Sequence, residues 1–249
     1  MKNLIKKITE RPPNDEEIST NLIISISPRK IIQGLGLAIL FLIIAHVFVT
    51  LYRLLLGRAL FGLVWRFDLM SDKSVPTWYA SVTLLICFVL LLMISLAKRK
   101  VGDRYTHHWE VLSAIFLFLS LDETATIHEW SGNLVSKAFQ TSDFLNYPWV
   151  IFGVIFVIIL VPAYLKFFLD LPAKIKWLFF ISGTIYVGGG IGVEMINARH
   201  ESLHGWENLT YSMMTALEES LEMAGVAIFI YALLLYLRSN VKEVQICIK

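Results

Sequence analysis

Six runs of about 20 predominantly apolar residues, each long enough to cross a hydrocarbon core about 30 Å thick, confine this chain to a bilayer. They lie at roughly 31–52, 79–97, 109–129, 149–169, 176–197 and 209–237. Water is absent at that depth, so each run must satisfy its own backbone polar groups by folding as a helix. The expectation is an all-α, polytopic membrane helix bundle with six transmembrane helices. Composition agrees: 56% of the 249 residues are hydrophobic and 17% charged, and the mean hydropathy of +0.64 exceeds that of a soluble domain.

Positive residues at the ends of the runs set the orientation. Six lie in the N-terminal arm (Lys2, Lys6, Lys7, Arg11, Arg29, Lys30), four after the second run (Lys98, Arg99, Lys100, Arg104), two after the fourth (Lys174, Lys176) and three in the tail (Arg238, Lys242, Lys249). The opposite side holds Arg53, Arg58, Arg66 and Lys73, then Lys137 and Arg199. Fifteen against six places both termini in the cytoplasm.

Residues 1–30 lack the apolar core and small-residue cleavage site of a signal peptide and read as a cytoplasmic arm. Residues 31–238 form one membrane domain, and 239–249 form a cytoplasmic tail. The half-apolar connection at 53–78 suits a segment lying at the outer interface. Trp78, Trp109, Trp149 and Trp177 stand at span starts, as interfacial anchors do. A net charge of +2, with the basic residues beside apolar runs, implies no nucleic-acid partner. The partner it implies is the lipid bilayer. Cys87 and Cys247 lie on dissimilar parts of the chain and make neither a disulfide framework nor a metal knuckle.

Ionisable groups inside these runs are expensive, and they mark function by default. The third run ends in Leu119-Ser-Leu-Asp-Glu-Thr-Ala-Thr-Ile-His-Glu-Trp130, which brings Asp122, Glu123, His128 and Glu129 together. The sixth contains Glu218, Glu219 and Glu222, the fifth Glu194 and the first His46. Counted from the span ends at about 1.5 Å per residue, all of them fall between the midplane and the outer surface. On a continuous helix Glu129 would return to within about 20° of Asp122.

One outward-facing pocket is therefore expected, formed by Asp122, Glu129, Glu218 and Glu222, with His46, His128, Glu123, Glu194 and Glu219 as further candidates. So many carboxylates cannot all be bare anions in a low dielectric. Shared protons, a cation, or an arginine such as Arg53, Arg58, Arg66 or Arg199 must compensate them. The mixture of carboxylate and imidazole leans toward a divalent transition metal, Zn, Fe or Mn. A single Glu-x-x-His spacing occurs, Glu201 to His204, where a di-iron bundle uses two.

Three smaller patterns carry expectations of their own. His200-Glu201-Ser202-Leu203-His204 matches the zincin signature, with Glu201 as the general base. Gly188 and Gly192 are spaced for close approach by a neighbouring helix. His107-His108 reads as a solvated pair in a cytoplasmic loop.

With Pro76-Thr77-Trp78, Leu121-Asp122-Glu123 followed by His128-Glu129, and Glu218-Glu219-x-x-Glu222-Met223-x-Gly225, the chain resembles a family of uncharacterised bacterial six-span inner-membrane proteins. The resemblance covers most of the six spans. It implies a location in the bacterial inner membrane and no particular activity.

Four readings follow from the residues. The first is a membrane protein holding a metal cation or shared protons in its acidic pocket. The second is a small ion or solute transporter built from inverted repeats, since Leu121-Asp122-Glu123 echoes Leu217-Glu218-Glu219. The third is a zincin-like membrane metalloprotease, and the fourth a structural or sensor subunit whose acids pair with arginines.

Overall fold

The computed structural model describes residues 27–57, 62–138, 144 and 147–240, with backbone alone for 133–138. Among these residues every regular element is helical. In chain order they are α1 (Pro28–Leu56), α2 (Leu63–Phe67), α3 (Val75–Lys100), α4 (Thr106–Ala125), α5 (Ile127–Ala138), α6 (Trp149–Leu169), α7 (Ala173–Val187), a π-helical segment (Gly188–Val193), α8 (Glu194–His204) and α9 (Leu209–Asn240).

Among the described residues five helices are long and apolar enough to cross a membrane: α1, α3, α6, α9 and the continuous rod from Ala173 to His204. Four of them lie on expected spans, and the rod runs past the expected end at residue 197. The third run is different. Its helix, α4, is 20 residues long, but Glu110, Asp122 and Glu123 leave it too charged to qualify on composition. It ends four residues earlier than expected, where Thr126 adopts a left-handed conformation with φ 47°.

In α9, 56% of the most apolar stretch is buried, against 11% in α6, so α9 is the central helix and α6 a peripheral one. Around α9 pack α1, α3 and α7, while α4 lies along α3. Exposed Leu37, Leu40, Phe41, Ile44 and Phe48 on α1, and Ile158, Ile159 and Val161 on α6, form apolar outer faces of the kind lipid requires.

Small residues set the closest approach of α7 to α9. A Cβ on Gly225 would stand 2.9 Å from the Tyr186 backbone nitrogen and 3.0 Å from the Ser182 carbonyl, and Ser182 Oγ donates to the Gly225 carbonyl at 2.8 Å. The expected Gly188–Gly192 contact is not formed, because neither glycine has a neighbour within 4 Å. Gly189 and Gly190 meet α9 instead, since the wide π turn rotates them toward Glu218 and Glu222.

At one end of the bundle Trp109 is 1% exposed, packed against Phe167, Phe179 and Tyr236. It is therefore a core residue and not an anchor, whereas Trp78 and Trp177 are each 64% exposed. His107 is exposed beside Glu110, but His108 is half-buried against Tyr105, Tyr164 and Phe167, which removes it from the expected solvated pair.

Candidate functional site

Between α4, α6, the α7–α8 rod and α9 lies a cavity of about 1070 Å³. The segment 68–73 and the start of α5 also line it. Of the nine acids and histidines singled out in the sequence, all but His46 line this space. Asp122 and Glu123 come from α4, His128 and Glu129 from α5, Glu194 from α8, and Glu218, Glu219 and Glu222 from α9.

The break after α4 changes how Asp122 works. A continuous helix would have stacked Asp122 and Glu129 on one face. The left-handed Thr126 instead folds α5 back, so that Asp122 Oδ1 accepts the His128 backbone N–H at 2.8 Å and Oδ2 accepts from His128 Nδ1 at 2.9 Å. Asp122 thus serves the first turn of α5, where an acid is favoured. With 12 residues α5 is too short to cross the membrane. Burial alone would lower the His128 pKa, but the Asp122 hydrogen bond and charge, helped by Glu129 and Glu194, hold it above the ordinary value.

From His128 a chain of contacts runs inward. Its ring stands edge-on to Trp149 at 5.0 Å, and Trp149 Nε1 donates to Glu194 Oε1 at 3.2 Å. Trp149 therefore lines the cavity and holds Glu194. Glu218 lines the same cavity from α9. Asn197 Nδ2 donates to Thr215 Oγ1 at 2.8 Å and approaches Glu218 Oε2 at 3.5 Å. Glu222 fits because Gly190 has no side chain: a Cβ there would stand 2.5 Å from Glu222 Oε1.

Among the described residues no arginine pairs with these acids. Arg53 lies 3.6 Å from Asp68, Arg66 and Arg199 are exposed, and Arg58 lies outside the described residues. Arg199 instead stands over the Phe144 ring at 4.7 Å. Among the described residues no ion pair engages Glu123, Glu194, Glu218, Glu219 or Glu222. Nor is any group of three or more His, Cys, Asp or Glu among the described residues arranged to hold a metal ion.

His46 belongs to a different arrangement. It is wholly buried, with Nε2 3.2 Å from Ser212 Oγ and Nδ1 3.1 Å from the Leu69 amide and 3.3 Å from Asp68 Oδ1. The Met70 N–H also reaches Asp68 Oδ1, at 3.0 Å. Burial alone would raise the Asp68 pKa, but His46, the Met70 amide and Arg53 together hold the carboxyl below its ordinary range. This cluster pins segment 68–73 over the cavity. Sequence reasoning passed over Asp68, whose only signal was an acid between apolar residues in the 53–78 connection.

In the zincin pattern His200 and His204 stack at 4.7 Å, and His200 Nε2 lies 3.0 Å from Asn208 Oδ1. Neither histidine is among the residues lining the cavity, whereas Glu201 is, bonded to the Tyr147 hydroxyl, which in turn lies 2.8 Å from Tyr211 Oη. The helix then stops at Gly205, with φ 74°. Of the two echoing stretches, Leu121 is near the end of α4 and Leu217 in the first third of α9.

Residues 34–237 match the domain of unknown function DUF8692, so the chain belongs to that family of unknown activity. With its apolar helices, it is an integral, multi-pass membrane protein. No curated protein and no solved structure matches the chain.

Proposed function

We propose that this protein crosses a bacterial inner membrane six times, with both termini cytoplasmic, and holds an exchangeable cation or shared protons in a cavity in the outer half of the bilayer. The third span is α4, which packs along α3 despite its acids. Reporter fusions at Lys137 and Lys242 test the topology: Lys137 should report outside, Lys242 inside.

One observation carries the functional reading. Glu218, Glu219 and Glu222 from α9, with Glu194 from α8 and Glu123 from α4, face one cavity without a lysine or arginine paired to any of them among the described residues. Uncompensated carboxylates at such depth are costly, so protons must neutralise them when no cation does. Exchange between the two states is the function the geometry supports best. A resident Zn, Fe or Mn ion is a weaker fit, since the carboxylates do not gather as a ligand set among the described residues.

Glu222→Gln tests this against the structural reading. It removes charge with little change of volume and has no arginine to strand among the described residues, so the variant should keep or gain thermal stability. It should also lose the stabilisation that a bound cation gives the wild type. A loss of about 3–5 kcal/mol, as when one partner of a buried ion pair is removed, would favour the structural subunit.

A further inference from the structure

The cavity changes character along its length. Its outer limb holds the acids, while further along α9 the lining is Val226 and Phe229, faced by Leu112 and Leu119 of α4 and by Phe156 and Leu160 of α6. From Glu218 to Phe229 the helix rises about 16 Å at about 1.5 Å per residue. That is on the order of the hydrocarbon depth of one leaflet, half of about 30 Å.

Two observations mark the apolar limb as open. Among the described residues the backbones of α4 and α6 do not pack together: α4 lies along α3, and α6 meets the bundle through α5 and the π-helical segment. Side chains close the gap only at its ends, where Trp109 of α4 stands on Phe167 of α6 at 4.8 Å and the His128 ring of α5 meets Trp149 at 5.0 Å. Between these contacts a window faces the hydrocarbon of the bilayer. The second observation is Gly183, which lies inside α7 on the cavity wall, where a Cβ would meet nothing within 4 Å. Glycine weakens a helix interior, and no close helix approach accounts for this one, as it does for Gly225 against Tyr186. Its effect is to widen the cavity at the level of Gly225, between the acids and Phe229.

An apolar space left empty forfeits its dispersion contacts, and water does not fill it, so one that opens on lipid takes up a hydrocarbon chain. At the outer limb the carboxyls accept hydrogen bonds whether ionised or protonated. The head group that suits them is a donor without negative charge. We propose that the cavity takes a single-chain amphiphile from the bilayer through the window between α4 and α6, with the chain against Leu112, Leu160 and Phe229 and an uncharged, hydroxyl-bearing head beside Glu218 and Glu222. The apolar limb holds the chain whether or not the acids hold a cation.

The test uses the full chain in phosphatidylcholine nanodiscs and two photoreactive probes, a tetradecyl chain tipped with a diazirine on either a glycerol or a sulfate head. Labelled residues are read by mass spectrometry. In the wild type the glycerol probe should label α9 around Val226 and Phe229, which are 4% and 6% exposed, so that a chain reaches them only through the cavity. Excess unlabelled tetradecylglycerol should suppress that labelling and leave labelling of the outer face of α1, at 37–48, in place. The sulfate probe should label α9 at least about tenfold less, as a like charge at a partly screened site dictates. Gly183→Phe fills the open space and should lower α9 labelling by the glycerol probe to a similar degree. It leaves the acids in place, so any stabilisation by a bound cation should survive.

The competition in wild type needs no variant to fold. Labelling confined to the outer faces, labelling of α9 that excess competitor leaves unchanged, or full labelling in a folded Gly183→Phe would overturn the chain site and leave the cation reading to its own test. Equal labelling of α9 by the two probes would overturn the head-group assignment and leave a site for the chain.

Discussion

The two ends of the bundle treat their acids in opposite ways. At the α3–α4 turn, Asp103 lies 3.0 Å from Lys98 and Glu110 lies 2.6 Å from Arg99, while Asp170 meets Arg104 and the Tyr105 hydroxyl. Each acid has its cation beside it, at the surface. In the cavity the acids outnumber the cations, with Arg53 and Lys73 the basic residues in its lining and Arg53 already committed to Asp68. Helix locking explains the first end and not the second. A bundle that only needed stapling would not collect five acids with no paired cation among the described residues where charge is most costly.

Asp68 lies at the boundary between these regimes, being buried like the cavity acids and paired like the surface ones. It offers the largest effect. Asp68→Asn removes the charge that Arg53 and His46 face, and it should destabilise the protein by about 1.5–3 kcal/mol in thermal unfolding. Glu222→Gln, equally conservative, should not. Equal losses from both would erase the distinction between paired and unpaired acids.

A second effect is the pH dependence of stability. Because Asp68 is held below its ordinary value of 3.8 in the folded state, its contribution is present above that value and is lost as pH falls through the folded one. His128 is raised above 6.5, so its contribution is present below 6.5 and is lost as pH rises through the folded value. Thermal midpoints followed across pH should therefore lose part of the acid limb in Asp68→Asn and part of the alkaline limb in His128→Gln. A variant whose profile merely shifts in parallel would refute the pairing assigned to it.

The smallest effect belongs to the exposed end. Arg104→Gln should leave the thermal midpoint unchanged within error, because a solvated ion pair contributes little once salt screens it. A clear loss would mean that this end, too, depends on its charges.

The long helices and the gathering of the acids were legible in the sequence for one reason: hydrocarbon imposes both span length and the rarity of charge. Depth counted along each run brought Glu194, Glu218 and Asp122 to one level, and all three line the cavity. What depth could not give was direction. His46 shares that level but turns toward Asp68 and Ser212 on another side of α9. The break at Thr126 escaped notice because threonine carries little signal for a left-handed turn, which only the Asp122–His128 bonds make favourable. The Gly188–Gly192 spacing misled because it presupposes a regular helix, whereas the π turn presents Gly189 and Gly190. Gly183 gave no signal at all, since a lone glycine within a span is ordinary until the open space in front of it is seen.

The most direct measurement concerns the protonation of the cavity acids. Infrared spectroscopy of the dialysed, cation-free protein at neutral pH should show a protonated-carboxyl C=O band that shifts on exchange into heavy water and loses intensity in Glu218→Gln. Absence of that band in folded wild type would mean that the cavity acids are all charged, which contradicts a cavity neutralised by protons and opened by cation exchange.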